Sequence, residues 1–184
     1  MVKLKTEKLC LDHIKQYKMK CEKGKKVDFI MSVFETCSMT QTFIFVNTLN
    51  FAEKIHSILR NKGFSSNILF SKMSKEERDL TMEKFRAQEI NVLITTNLIA
   101  RGVDVPETEL VINFDVPNRK VKGKMEGDYE NYLHRIGRTG RFGRDGVALT
   151  IWDRDIDKET LDHILKHYDM EDKVKDLQGP DHLK

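Results

Sequence analysis

Four arginines, Arg135, Arg138, Arg141 and Arg144, recur at every third position in the run HRIGRTGRFGR from His134 to Arg144. A guanidinium is planar, stays charged at any relevant pH and matches a phosphate with two parallel hydrogen bonds. Gly137 and Gly140 between them would let a backbone and a polyphosphate approach closely. The segment is therefore suited to a triphosphate. From charge alone a solvated basic helix end fits equally well. No GxxxxGK[ST] loop occurs in the chain, and Gly137, Gly140 and Gly143 do not spell GxGxxG, so the usual main phosphate cradle is not in these residues.

These residues need a scaffold, and short apolar runs supply its signature. Thr42 to Val46, Ile68 to Phe70, Val92 to Thr95, Leu110 to Phe114 and Val147 to Ile151 read as buried strands of a parallel sheet covered on both faces. Helical spacing separates them. Phe51, Ile55, Ile58 and Leu59 share one face, with Asn50 and Glu53 as a start signal and Gly63 as a stop. Ser74 and Glu77 form a capping-box pattern that opens a helix carrying Leu80 and Phe85 inward. Two more helices are expected at Tyr129 to Ile136 and around Leu161, Ile164, Leu165 and Tyr168. Residues 115–128 lack apolar periodicity and read as a long surface loop. The alternation predicts a doubly wound α/β domain, whose ligands belong beyond the carboxyl ends of the strands. Those ends carry Asn47-Thr48, Thr95-Thr96 and the stretch leading to Arg101.

Composition bounds the rest. With 184 residues, 39% apolar and 33% charged, the chain suits one compact domain, with 1–26 as an N-terminal flank and 27–184 as the domain. A net charge of +3 does not by itself announce a nucleic-acid binder. Cys10, Cys21 and Cys37 are odd in number and lack CxxC spacing, which argues against a disulfide framework or zinc and predicts a reducing, intracellular setting. No apolar run approaches a membrane span, so no membrane insertion is expected. His163 and His167 lie one helical turn apart without a third ligand and read as solvent-facing; Trp152 and Tyr132 read as packing residues.

Three of these segments, FIFVNT (Phe43 to Thr48), LITTNLIARGVDVP (Leu93 to Pro106) and HRIGRTGR (His134 to Arg141), resemble consecutive signature motifs of the DEAD-box RNA helicases. The likeness runs from about Leu9 to Leu177 and corresponds to the second, C-terminal RecA-like domain of that family. It implies a RecA-like fold with a mainly parallel sheet. The family's phosphate loop and its magnesium-handling Asp-Glu-Ala-Asp sequence belong to the other domain and do not occur in this chain. The resemblance thus implies ATP as the nucleotide, with Mg held mainly by an N-terminal RecA-like domain, and an isolated chain that does not turn over ATP.

Carried across residue by residue, the resemblance assigns Arg138 and Arg141 as arginine fingers to the ATP phosphates, with His134 and Arg135 as couplers between the domains. It places Asp104 at the ribose hydroxyl, with Gly102 nearby. Asn47, Thr48, Arg78, Thr95, Thr96, Arg101 and Gly102 would form the groove for one strand's sugar-phosphate backbone, a sequence-independent mode of binding. Read from local pattern alone, the Thr-containing turns are helix caps and Arg78 is an exposed helix residue. Lys75 stands where the family commonly has Gln, and Ser71-Lys72 where Gly-Asp is usual. TTN at Thr95 to Asn97, the long segment before DYENYLHRIGR, and RFGRDGVALTIW resemble the mRNA-export helicases of the nuclear pore, with the translation-initiation subgroup as the nearest rival. That likeness implies RNA, a nucleoporin and an export-type activator as partners of a monomeric protein in the cytoplasm or nucleus. A non-catalytic RNA- or protein-binding adaptor is the alternative from a different functional class.

Overall fold

The computed structural model describes residues 11, 13–37, 41–96, 108–140 and 145–183. Its elements are β1 (Ile14–Lys20), α1 (Lys26–Thr36), β2 (Thr42–Phe45), α2 (Leu49–Asn61), β3 (Ser66–Leu69), α3 (Lys75–Arg86), β4 (Val92–Thr95), β5 (Leu110–Asn113), β6 (Asn118–Val121), β7 (Lys124–Gly127), α4 (Tyr129–Ile136), β8 (Gly146–Trp152), α5 (Asp155–His167), β9 (Val174–Asp176) and a closing 3-10 turn at Pro180–Leu183.

Seven strands form one parallel sheet in the order β3-β4-β2-β5-β8-β1-β9. The period of two along each strand divides the core in two. Ile44, Val46, Ile94, Ile112 and Leu149 face α1 and α2, packing with Ile30, Val33, Ile55 and Leu59. Phe43, Phe45, Leu93 and Val111 face α3, where Met82 and Phe85 are buried. Ala148 and Trp152 continue that second face against Tyr132 and Ile136 of α4 and Ile164 and Leu165 of α5. Helices therefore cover both faces, as the apolar runs required. No described helix is long and apolar enough to cross a membrane.

The chain passes from β2 outward to β3, returns through β4 beside β2, then crosses to β5 on β2's other side. That reversal opens a crevice at the carboxyl ends of β4, β2 and β5, the place where doubly wound sheets bind ligands.

Several expectations need correction. Strand β1 lies inside the segment expected as a flank and pairs with β8 and β9. Helix α2 is capped by Thr48, whose Oγ1 accepts from Phe51 N at 3.4 Å, rather than started at Asn50. On α3 the capping box forms, with Glu77 N donating to Ser74 Oγ at 3.1 Å and Ser74 N donating to Glu77 Oε2 at 2.8 Å. Leu80, expected inward, is 53% exposed, while Thr81, Met82 and Phe85 are buried. At 3.6 residues per turn, positions five apart lie about 140° around the axis, so one face cannot hold both Leu80 and Phe85.

Residues 115–128 are not an irregular loop. They fold into the β6–β7 hairpin, whose register pairs Arg119 with Glu126 and Val121 with Lys124. Lys122 and Gly123 both take positive φ, 48° and 83°, the combination of a type I′ two-residue turn whose twist matches that of its strands.

Candidate functional site

At the carboxyl edge of the central strands, Arg135 leaves α4 and points into the protein. It is 0% exposed. Its Nη1 donates to Asn113 Oδ1 at 3.2 Å and to the Asp115 carbonyl at 2.7 Å, and its Nη2 donates to Asn47 Oδ1 at 3.2 Å. The guanidinium also sits 5.1 Å from the Phe45 ring centroid. Desolvation pushes its pKa down to about 9, partly offset by the charges of Asp115 and Asp128, so it stays protonated at neutral pH.

The bonds continue outward from there. Asn113 Nδ2 donates to Thr150 Oγ1 at 3.1 Å, tying β5 to β8. Asn47 N donates to Asp115 Oδ2 at 2.9 Å, and Asn47 Nδ2 donates to the Val116 carbonyl at 3.0 Å. Lys26, at the start of α1 and 8% exposed, donates to the Phe114 carbonyl at 2.7 Å and to Asp115 Oδ1 at 3.0 Å, with its ammonium 4.3 Å from the Phe114 ring centroid. One connected polar network thus fixes the mouth of the crevice. A buried cation of this kind is tolerable only because each charge meets oriented acceptors.

The expected site residues fall into groups around this network. Asn47 is spent within it, its backbone N–H and both ends of its side-chain amide bonded inside the domain. Arg135 is likewise a packing node. Thr48 is exposed at the N-terminus of α2. Thr95 is buried, and its Oγ1 donates to the Thr96 carbonyl at 3.1 Å, while Thr96 itself is half-buried. Arg78 lies half-buried in the first turns of α3, beside the capping box that occupies Glu77. Arg101, Gly102, Asp104 and Arg141 lie outside the described residues.

Helix α4 delivers the other two. Asp128 caps it by accepting from Asn131 N at 3.2 Å, and Gly137 ends it. His134 is half-buried, with its Nδ1 enclosed and lacking a hydrogen-bond partner among the described residues. Arg138 is half-buried just past the helix end, and its carbonyl accepts from Thr108 N at 3.1 Å. Thr139 Oγ1 donates back to the Thr108 carbonyl at 2.6 Å, so the arginine's backbone is clamped. Gly140 has φ +71°, and a Cβ there would lie 2.6 Å from Ile14 Cγ1. Its lack of a side chain serves this turn and its close approach to β1.

As a place for a nucleotide, this edge is half complete. It offers an arginine whose backbone is clamped, a residue type that suits phosphate oxygens, while the enclosed His134 Nδ1 is shut away from solvent. Among the described residues no group of three or more His, Cys, Asp or Glu could hold a metal ion. His167 packs its ring 4.5 Å from that of Tyr129, and Trp152 and Tyr132 are buried in the core. No sequence pattern marks the network residues: Lys26 is one of a run of lysines, and Asn113, Asp115 and Thr150 are single polar residues within or beside apolar runs.

Comparison with known proteins places this geometry. Residues 25–143 match the family model described as the helicase conserved C-terminal domain. The chain is 42% identical over 166 residues to "Probable eukaryotic initiation factor 4A" of Trypanosoma brucei brucei, covering 90% of this chain and 38% of that protein. Among solved structures, the C-terminal domain of the DEAD-box protein Dbp5 superposes with a TM-score of 0.82 at 35% identity, covering 90% of this chain and 91% of that one. S. cerevisiae Dbp5 bound to RNA and ADP BeF3 gives 0.80 at 35% identity, over 90% of this chain and 42% of that one. A Dbp5 variant from the same yeast bound to Nup159, Gle1, IP6 and ADP gives 0.80 at 32%, over 91% and 42%. The chain therefore spans less than half the length of the curated relative.

Proposed function

Since this chain belongs to the helicase conserved C-terminal domain family, and within it to the RecA-like C-terminal domains of DEAD-box proteins, we propose that it works as one half of an ATP-dependent RNA helicase. It supplies arginine fingers and part of the RNA groove to a site completed by an N-terminal RecA-like domain. The observation that carries this is the crevice mouth itself. The Arg135 network locks the end of β2, next to Thr48, to the helix that presents His134 and Arg138. RNA-facing and phosphate-facing groups then move as one rigid piece when the two domains close. In the proposal, ATP draws the domains together, the strand's backbone is held, and hydrolysis releases it. Arg138 and Arg141 face the phosphates, Asp104 and Gly102 the nucleotide, and Thr48, Arg78, Thr95, Thr96, Arg101 and Gly102 the RNA.

The test compares ATP hydrolysis, with and without single-stranded RNA, by this chain alone and by a polypeptide joining it to an N-terminal RecA-like domain. Activity only in the joined form, stimulated by RNA and lowered about 10³- to 10⁵-fold by Arg138→Ala, is the expected result. Turnover by the chain alone would reject the half-site, and an inert joined form would favour a binding adaptor.

Within the family we place the protein with the export-type helicases that remodel mRNA-protein particles at the nuclear pore. The likeness to Dbp5 structures carrying RNA, Nup159 and Gle1 supports that choice. The 42% identity to an initiation factor 4A supports the translation-initiation reading as the second. Retention of an export-type activator and a nucleoporin on the immobilised protein, with no binding of an initiation scaffold, is the outcome that separates them.

A further inference from the structure

The hairpin between β5 and α4 gathers positive charge on a short, braced ribbon. Residues 118–127 hold Arg119, Lys120, Lys122 and Lys124 against the single carboxylate of Glu126, an excess of three that equals the formal net charge of +3 of the whole chain. Arg119, Lys120 and Lys124 are exposed on the strands, and Lys122 is exposed at the turn. None of the four forms an ion pair within 4.0 Å of a described residue. The basic stretch nearer the N-terminus differs in this respect, because Lys15, Lys18, Lys20, Lys25 and Lys26 each meet an aspartate.

Several bonds hold the ribbon in place. Asp128 N donates to the Pro117 carbonyl at 2.9 Å and closes its base, and the type I′ turn fixes its tip. A Cβ on Gly127 would meet Ile164 Cγ1 at 2.9 Å, so the hairpin's foot rests directly on α5. Its root is joined to the crevice, because the Val116 carbonyl accepts from Asn47, whose neighbour is Thr48. Four residues per strand at about 3.4 Å each carry the tip roughly 14 Å from that root.

We propose that the β6–β7 hairpin is a second RNA-binding element, a basic ribbon that binds phosphates of the strand outside the groove. This rests on the RNA-helicase reading and adds to it a site that groove residues do not provide. Cations left uncompensated on a rigid element gain most from a polyanion, because no intramolecular pair must break first. Such binding reads the backbone and not the bases.

The test measures binding of this chain to a long single-stranded RNA between about 50 and 200 mM KCl. A variant with Arg119, Lys120, Lys122 and Lys124 all changed to Gln should bind more weakly. Its slope of log K against log salt should flatten by about 3, at roughly 0.7 for each phosphate no longer neutralised. Lys→Arg changes at 120, 122 and 124 should keep the wild-type slope. A short RNA that fills only the groove should show little difference between wild type and the Gln variant. An unchanged slope with long RNA overturns the proposal and leaves the lysines as guards against strand pairing at the ribbon's edges. A slope that changes while the Gln variant's thermal unfolding also shifts, and that the Arg variant does not restore, overturns it as well. Thr96→Val and Arg78→Gln serve as groove controls. If they weaken binding and the hairpin change does not, only this proposal fails; if neither matters, the RNA reading fails with it.

Discussion

Replacing Arg135 with Met should unfold the domain far more readily, although the residue's place in the sequence suggests a role only at the cleft between two domains. The side chain is removed from water completely and serves three acceptors, Asn113 Oδ1, the Asp115 carbonyl and Asn47 Oδ1. Methionine fills much of the volume and meets none of them. Asn47 is half-buried and can turn toward water, so its loss is small. Asn113 is 0% exposed and cannot. Leaving a buried acceptor unmet costs about 1 to 3 kcal/mol, and breaking a buried charged cluster about 3 to 5, so a loss of about 4 kcal/mol is expected. With an m-value of about 2 kcal/mol/M, the urea midpoint should fall by about 2 M. Arg135→Lys should fall between, since one ammonium cannot span all three acceptors. The measurement is equilibrium unfolding of the chain by itself, with no nucleotide or RNA. A shift below about 0.5 kcal/mol, the range of ordinary surface changes, would refute the network's structural role and return Arg135 to the cleft.

Ser74→Ala should remove one side of the capping box on α3 and cost about 1 kcal/mol, read as faster amide exchange in the first turn of that helix with the sheet strands protected as before. Cys21 should resist alkylation through neutral and mildly alkaline pH, because burial pushes its thiol from 9.0 up to about 11. A raised folded value means the stability gained by burying the neutral thiol is complete below pH 9.0 and is lost as pH climbs through about 11. Mass mapping of Cys21 after timed alkylation checks this, and fast modification near pH 8 (roughly half a unit below the ordinary free-thiol value) would contradict it.

How much of this was legible depended on whether a residue's role is local. β2, β4, β5 and β8 are continuous apolar runs, buried on both faces, and α4 follows its apolar spacing. β1 reads IKQYKMK, and its lysines hid a strand whose inward residues include a buried Gln16. α1 has Lys25 at its N-cap position with no side-chain capping bond, which removed the usual start signal. The hairpin was hidden by its charge, since Lys122-Gly123 is a weaker turn signal than Asn-Gly and neither strand alternates cleanly. At the site, Thr48 and Arg138 stood out by motif. Lys26, Asn113, Asp115 and Thr150 did not, because what joins them is spatial: the network gathers residues as distant as 26 and 150, and only the finished sheet brings them together.

The position of β1 has a consequence for how the chain is made. Its register pairs Ile14 with Gly146, so the strand's hydrogen-bonding partner is synthesised 132 residues later. At about 5 to 20 residues per second, β1 waits roughly 7 to 26 s for β8 to emerge. Parallel pairing over such a distance is slow to form, because the loop must close before any pairing energy is gained. During that wait the strand is a bare edge. Lys15, Lys18 and Lys20 lie along it, the residue type that blunts exposed strand edges against pairing with other chains, until β8 and then β9 flank it on both sides.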